Sequence, residues 1–564
     1  MEYILSNKQF TDSKQFGKLY YRGSPEITNN RLSILEGETY PEDSSSDIIN
    51  NYVKGGYNYI VYNTESDELI IKNDKFGMLP LYVYTSKDQL FISNNLWLII
   101  TNLASSDILI DEVLFKSYLY LLKIPKEGGT FFKNVKQLNA ATLFKIDIKS
   151  NKVNDDKYWE LEHSNEKIKN IDDAIEILDN DIAQLFKTLK NKFPSSKFGF
   201  GNSGGFDSRL IPAYAKQFDL PLKGFIIGDK KPRKLFYSTS HKSAMQIANY
   251  YKFEHHNVSY KSSNLLDRLL LDIRNSPIGP NQIFKNPFES IPEFEYLICG
   301  GNGFTISNEN NKWQEFSSIT DEQKKIDFLF QYNSKGVYST TREKINQLLF
   351  KSDLNTKNNI FDSFITSDDK DIYRDYISQF YSKNKHKSNI SIIRSFHQSF
   401  FNKQSPSGGY ESLNRTKKTI YMYYPFAFDN TLRWENDFFF NRIVLQKLIL
   451  KKDKYLASIP NQEFEYINKP QNQKIRLIRF LIRKRGLDYL KWFKDSQVQH
   501  FSRNILQREN PIFEEIVSKN KLKAKDILTL HPGISLDFVK AKAILDIIYY
   551  KEFNFINDKR FLIQ

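Results

Sequence analysis

A single cysteine, Cys299, serves a chain of 564 residues. One thiol excludes an intramolecular disulfide framework and any zinc site built on several cysteines, and it argues against sulfur transfer by paired thiols. Long apolar runs are also missing: no window approaches the roughly 18 apolar residues that a membrane span requires. The opening Met1-Glu-Tyr-Ile-Leu-Ser-Asn-Lys8 lacks the basic-then-apolar order of a secretory signal, so the expectation is a soluble, cytoplasmic protein with no membrane span. Acids are the scarcer charge, 66 against 81 Lys and Arg, which leaves a net charge of +15. The basic residues are nevertheless scattered, with acids between them, and nucleic-acid binding is therefore disfavoured. What is plentiful is apolar bulk: 40% hydrophobic and 15% aromatic residues suffice for sizeable cores. At roughly 100–200 residues per domain, the length predicts two to four of them.

The most informative stretch is Phe198-Gly-Phe-Gly-Asn-Ser203-Gly204-Gly205-Phe206-Asp207-Ser208-Arg209-Leu210. It predicts a strand, a tight loop and a helix start. Adjacent glycines let main-chain N–H groups close around an anion, and a helix beginning near Asp207 points its positive end at the same place. Ser203 and Ser208 add hydroxyls. Asp207 disfavours a bare phosphate and fits only one that arrives with a cation such as Mg²⁺.

The surrounding pattern predicts where this loop sits. Ile171, Ala174, Ile175, Leu178, Ile182, Leu185, Phe186 and Leu189 recur at spacings of three and four, the mark of an amphipathic helix over about 167–192. Leu222–Ile227 reads as a second buried strand, Ala244–Tyr250 as a helix, and Glu295–Cys299 as a further strand before the glycines at 300, 301 and 303. Alternating strands and helices predict a parallel, doubly wound sheet, with ligands at the carboxyl ends of its strands. Before it, Tyr57–Tyr62, Glu68–Lys72, Leu81–Tyr84 and Gln89–Ser93 are β-rich runs broken by Asn, Asp, Gly and Ser, which predict packed antiparallel sheet. His255 and His256 lack a third ligand at sensible spacing and read as an ordinary strand-edge pair. Residues 310–420 carry helical stretches, Lys324–Gln331 and Ile390–Phe396 among them, expected to wall the site. The run Lys474–Arg485 predicts a basic amphipathic helix that could dock an acidic substrate or partner or touch a membrane surface, though such a stripe more often packs its Ile and Leu face and leaves its arginines in water.

The loop resembles the Ser-Gly-Gly-x-Asp-Ser pyrophosphate loop of the ATP pyrophosphatases, the group of asparagine synthetases, β-lactam synthetases and lasso-peptide cyclases. Further residues carry the resemblance. Asn73-Asp-Lys-Phe-Gly77-Met-Leu-Pro80-Leu-Tyr82, followed by Phe91-Ile-Ser-Asn94, is similar to a segment of class II glutamine amidotransferase domains, and Pro425-Phe-Ala-Phe-Asp429 to a synthetase-domain segment. The implied fold is an α+β N-terminal antiparallel-sheet domain (1–165), degenerate as a glutaminase, then an α/β doubly wound ATP-binding domain (166–470) and a basic helical extension (471–564).

By the resemblance, Ser203, Gly204, Gly205 and Ser208 would hold the pyrophosphate of ATP. Asp207 would coordinate Mg²⁺, main-chain groups of Phe225, Ile226 and Ile227 would meet the adenine edge, and Lys469 would neutralise charge on the α-phosphate, with Lys474 as the other candidate lysine. The implied chemistry is adenylation of a carboxylate followed by amine attack. Two departures stand out. The family's glutaminase uses an N-terminal cysteine where this chain has Glu2, so no glutaminase activity is expected and the amine would come from a second substrate, free ammonia or the same molecule, as in a cyclase acting on a precursor peptide or a small acid. The family's acids after the second glycine loop are absent from Gly301-Asn-Gly303-Phe-Thr305, which keeps open a nucleotide-binding scaffold without turnover; Glu309 is the nearest replacement.

Overall fold

A computed structural model describes residues 3–40, 48–49, 54–75, 77, 79–114, 126–160, 166–227, 235–258, 293–299, 315–335, 367–397, 418–421, 433–434, 438, 443–460 and 467. The expectations for Glu2, Gly301 to Glu309, Pro425–Asp429, Lys469, Lys474 and the extension 471–564 fall outside the described residues, as does the side chain of Ile227.

The N-terminal region builds two antiparallel sheets. The strands are β1 (Ile4–Ser6), β2 (Lys14–Phe16), β3 (Leu19–Arg22), β4 (Glu26–Thr28), β5 (Arg31–Tyr40), β6 (Lys54–Asn63), β7 (Glu68–Asn73), β8 (Tyr82–Thr85), β9 (Leu90–Ser93), β10 (Val135–Gln137), β11 (Thr142–Asp147) and β12 (Lys152–Lys157). One sheet runs β10-β8-β9-β1-β3-β2 and the other β12-β11-β7-β6-β5-β4. The four β-rich runs expected from the sequence are β6 to β9. Alternation along the strands turns one face of each inward, and Leu5, Leu19, Leu32, Ile60, Leu69, Ile71, Val83, Ile92 and Phe144 form the core. A short buried helix, α1 (Leu96–Ile100), follows β9 and is capped by Asn95, whose side chain accepts from Trp97 N–H.

The chain then enters α2 (Ile171–Lys192), started by the Asn170 side chain and by Asp172 and Asp173 in its first turn, with Lys190 and Lys192 in its last. Seven of the eight stripe residues named above are buried, and Ile171, at the first turn, is partly so. Each large apolar side chain buried in this way contributes about 1.5–3 kcal/mol. Next come β13 (Phe198–Gly201), α3 (Phe206–Gln217), β14 (Leu222–Ile227), α4 (Leu235–Tyr251) and β15 (Glu254–Val258). β16 (Tyr296–Cys299) and β17 (Lys418–Tyr421) complete a sheet of order β15-β14-β13-β16-β17, in which every neighbouring pair is parallel.

The chain therefore steps outward on one side of β13 and returns to its other side with β16. The order reverses between β13 and β16, and it is outside the carboxyl ends of the strands at such a reversal that open α/β sheets bind ligands. β13 passes tightly under its neighbours: a Cβ on Gly199 would lie 2.4 Å from the Phe294 ring, so only glycine fits.

Five further helices are described: α5 (Glu322–Lys335), α6 (Ser367–Asn384), α7 (Asn389–His397), α8 (Ile443–Lys452) and α9 (Lys454–Ser458). Val444, Leu445, Leu448, Ile449 and Leu456 of the last two join the core of α2, α3 and the parallel sheet. Helices α5 to α7 were expected to wall the site. Among their described residues, Ile390 of α7 joins the core of the parallel sheet, while Leu329, Ile377, Phe380, Ile392 and Phe396 form a separate apolar cluster with Phe316. They also reach the N-terminal region: Lys387, its side chain 1% exposed, pairs with Glu160 at 2.7 Å, and Lys126 lies 5.6 Å from the Tyr376 ring.

Candidate active site

The loop between β13 and α3 leaves the sheet at the order reversal. Asn202 anchors its start, donating its N–H to Phe225 O at 2.7 Å and its side-chain amide to Ala244 O at 2.9 Å, so that β13, β14 and α4 share one fixed corner. The chain then turns through Gly204 at φ +69°, a left-handed conformation that L side chains avoid. Gly205 is the helix N-cap, and a Cβ there would come within 3.1 Å of Ser203 Oγ. Ser203 is exposed and Ser208 buried, and their hydroxyls lie 3.2 Å apart. Ser203 Oγ also accepts the N–H of Gly205 at 3.2 Å, and the Ser208 hydroxyl donates to Gly205 O at 3.3 Å. Asp207 is half-buried in the first turn of α3.

Five of the residues expected at the site, Ser203, Gly204, Gly205, Asp207 and Ser208, thus stand on one turn of chain. Phe225 and Ile226 lie alongside on β14, whose end is tied to the loop by the Asn202 N–H; Phe225 is fully buried and offers its main chain only.

The donor set suits a polyphosphate better than a bare metal ion. Two glycines remove the Cβ atoms that would fill the cradle, two hydroxyls converge, and the N-terminal end of α3 faces the loop with its positive end. Among the described residues no three His, Cys, Asp or Glu side chains gather to hold an ion, so a cation here would be carried by the phosphates, with Asp207 as its protein carboxylate. ATP with Mg²⁺ meets both conditions.

A residue the sequence reading passed over completes the loop. Arg209 is fully buried. Its Nε and one terminal nitrogen donate to Gly205 O (3.3 Å) and Gly204 O (2.7 Å), and the other donates to Leu456 O (2.7 Å) and Ile459 O (2.8 Å). Burial lowers its pKa to about 10, which leaves the guanidinium charged at neutral pH. Its position three residues after Phe206 places it on the inward face of α3, a spacing that could have revealed it. Ser243, also buried, donates to Pro460 O at 2.8 Å, so α4 holds the same 456–460 segment.

His255 and His256 lie on β15, the edge strand, as the sequence predicted. His256 pairs with Glu254 at 2.6 Å, and the ring nitrogens of His255 have no hydrogen-bond partner among the described residues. Nothing in this geometry collects a metal.

In the antiparallel region, Tyr3 enters β1 against a carboxylate. Its hydroxyl donates to Glu36 Oε2 at 2.9 Å, while the side-chain amides of Asn58 and Asn94 donate to Glu36 Oε2 and Oε1 at 3.0 and 2.8 Å. Burial, with Glu36 adding to it, pushes the Tyr3 hydroxyl pKa well above its ordinary value. Cys299, the one thiol of the chain, stands on β16 of the parallel sheet.

Parts of the chain are similar to known proteins. Residues 43–159 match the model of a glutamine amidotransferase domain. Over 194 residues the chain is 26% identical to asparagine synthetase [glutamine-hydrolyzing] 1 of Bacillus subtilis (strain 168), a match that covers 34% of this chain and 28% of that protein. Among solved structures, the glutamine phosphoribosylpyrophosphate amidotransferase of B. subtilis, complexed with ADP and GMP, aligns over 56% of this chain and 71% of its own, at 8% identity and a TM-score of 0.17. The NH3-dependent NAD synthetase of Campylobacter jejuni aligns over 38% and 97%, at 10% identity and a TM-score of 0.15. The NMN synthetase of Francisella tularensis aligns over 41% and 97%, at 12% identity and a TM-score of 0.16. At such scores the fold assignment rests on the strand order and register given above. Residues 43–159 are thus similar to a glutamine amidotransferase domain, and over about a third of its length the chain is similar to an asparagine synthetase, of which it spans little more than a quarter.

Proposed function

We propose that the protein is an ATP-dependent amide-forming ligase of AMP-forming type. A substrate carboxylate oxygen attacks the α-phosphate of ATP, the bond to the β-phosphate breaks, and an acyl-adenylate and magnesium pyrophosphate result. An amine then attacks the acyl carbon, loses a proton, and displaces AMP to leave the amide. The observation that carries this reading is the glycine loop at the order reversal of the parallel sheet, with Gly204 at φ +69° and the hydroxyls of Ser203 and Ser208 converging at 3.2 Å.

In this reading Ser203, Gly204, Gly205 and Ser208 hold the pyrophosphate, Asp207 supplies the carboxylate for Mg²⁺, and the main chain at Phe225, Ile226 and Ile227 meets adenine. Lys469, nine residues after the anchored Pro460, neutralises the α-phosphate. Removing such a cationic group typically costs roughly 3–4 kcal/mol of transition-state stabilisation. The residues act within a division of the chain into 1–165, 166–470 and a basic extension 471–564, and the reaction belongs to a soluble, cytoplasmic enzyme.

The amine does not come from glutamine. A glutaminase of this type needs a thiolate, and residues 1–298 contain no cysteine. The attacking amine is then a second substrate, free ammonia or a group of the same molecule, and in that last case the protein would be a cyclase acting on a precursor peptide or a small acid.

A second reading, a scaffold that binds nucleotide without turnover, is favoured by the sequence Gly301-Asn-Gly303-Phe-Thr305, which lacks the acids expected beside a magnesium pyrophosphate. Pyrophosphate release from MgATP, screened against candidate acids and amines and with glutamate release from glutamine followed in parallel, separates the two. We expect substrate-dependent pyrophosphate that is lost in Asp207→Ala, and no glutamate. Pyrophosphate from no acid would support the scaffold, and glutamate turnover would contradict the missing thiol.

A further inference from the structure

The loop is not held by its own turn alone. Among the described residues, the hydrogen bonds of the Arg209 guanidinium run to main-chain carbonyls, and these come from two places far apart in sequence. Gly204 O and Gly205 O belong to the loop; Leu456 O, Ile459 O and, at 3.5 Å, Pro460 O belong to the end of α9 and the turn after it, 247 to 251 residues away. The Phe206 ring lies 5.0 Å from the guanidinium carbon.

The planar fork decides the consequence. In a trans peptide the carbonyl and the following N–H point in opposite directions. With the carbonyls of Gly204 and Gly205 turned onto the guanidinium, the N–H groups of Gly205 and Phe206 are turned away from it. The first of these meets Ser203 Oγ, on the loop's outer side. The charge that draws the carbonyls inward therefore aims the amides outward, and a buried cation with five donors in one plane can do this for two segments at once.

We infer that Arg209 is a positioning residue for the proposed reaction: it locks the phosphate-binding loop and the 456–460 turn into one rigid frame, so that the amides gripping pyrophosphate and that turn are set by the same cation. The inference rests on the reading of the loop as a pyrophosphate site and deepens it. Ser243 ties Pro460 O independently, from α4, and provides a control that leaves Arg209 in place.

Hydrogen exchange of the full-length protein without nucleotide tests the frame by itself. In Arg209→Lys, which keeps the charge and loses the fork, amides in 203–206 and in 456–460 should exchange faster together. In Ser243→Ala only 456–460 should respond, because Arg209 still holds the loop. Calorimetric titration with MgATP tests the use of the frame: loss of a charge-assisted hydrogen bond predicts affinity lowered about tenfold or more in Arg209→Lys, with Ser243→Ala near wild type. Exchange that rises in one segment only in Arg209→Lys would overturn the frame, as would a loop loosened equally by Ser243→Ala; the latter decides the matter even if the lysine variant does not fold. MgATP affinity unchanged in a lysine variant with both segments loosened would overturn the role in positioning. A wild-type protein that binds no MgATP would remove the pyrophosphate reading while leaving the exchange result standing.

Discussion

At the scale of single residues, two positions make demands that no other side chain meets. Gly204 turns at φ +69°, where a Cβ costs about 1–2 kcal/mol. Gly204→Ala should therefore lower the thermal midpoint modestly while weakening MgATP binding strongly, because relief of the strain moves the amides that bind. A melting curve and a calorimetric titration on the same sample check both. His255 makes a demand on pH. Burial, then the neighbouring His241 and His256, lowers its pKa from 6.5 to about 4. As pH falls, the unfolded chain takes up the proton first, so stability present above pH 6.5 is lost progressively down to about pH 4. In His255→Leu the urea midpoint should fall less over that window than in wild type; identical pH profiles would show that another group governs it.

At the scale of elements, much was legible. The stripe from Ile171 to Leu189 announced α2, and the run of Phe and Gly before Ser203 announced a buried strand and a turn, because helix period and glycine chemistry are local properties. Less of the first fifty residues was legible: β1 to β5 include short strands whose pairing depends on distant partners, such as Ile4 with Ser93. The place of β17 beside β16, the Glu36 cluster and the partners of Arg209 were hidden for the same reason, since they join segments separated by tens to hundreds of residues. Asp179 is a similar long-range joint. It accepts from Tyr214 OH at 2.7 Å and pairs with Lys452 at 2.6 Å and Lys451 at 3.4 Å, tying α2 to α3 and α8. Burial raises its pKa, and the bonds from Lys452 and Tyr214, with the charge of Lys451, outweigh that and hold it below the ordinary value. Asp179→Ala should destabilise by about 1–3 kcal/mol at neutral pH. The difference from wild type should shrink as acid protonates the carboxylate, since a lowered pKa stabilises only above the ordinary range. Denaturant titrations at neutral and acid pH give both numbers.

At the scale of the whole molecule, two architectures meet in one chain. An antiparallel region of amidotransferase type, with a caged acid near its N-terminal strand, contacts a parallel sheet whose glycine loop sits at the order reversal. Among the described residues the antiparallel region meets the parallel sheet where β5 lies against β17, and it meets the segment spanning α6 and α7 through Lys387 with Glu160 and Lys126 against Tyr376. No helix among the described residues is long and apolar enough to cross a membrane. The division of labour follows from chemistry: the thiol that would liberate ammonia is missing from the first region, while the glycines, hydroxyls and carboxylate that would bind a nucleotide are all present in the second. The central claim is that this loop grips the triphosphate of ATP together with a divalent ion. Isothermal calorimetry of the full-length protein with ATP, run with Mg²⁺ and with a chelator, tests it most directly. The account predicts saturable one-site binding that requires Mg²⁺ and disappears in Asp207→Ala; absence of heat in the wild-type protein, or binding indifferent to both Mg²⁺ and Asp207, would contradict it.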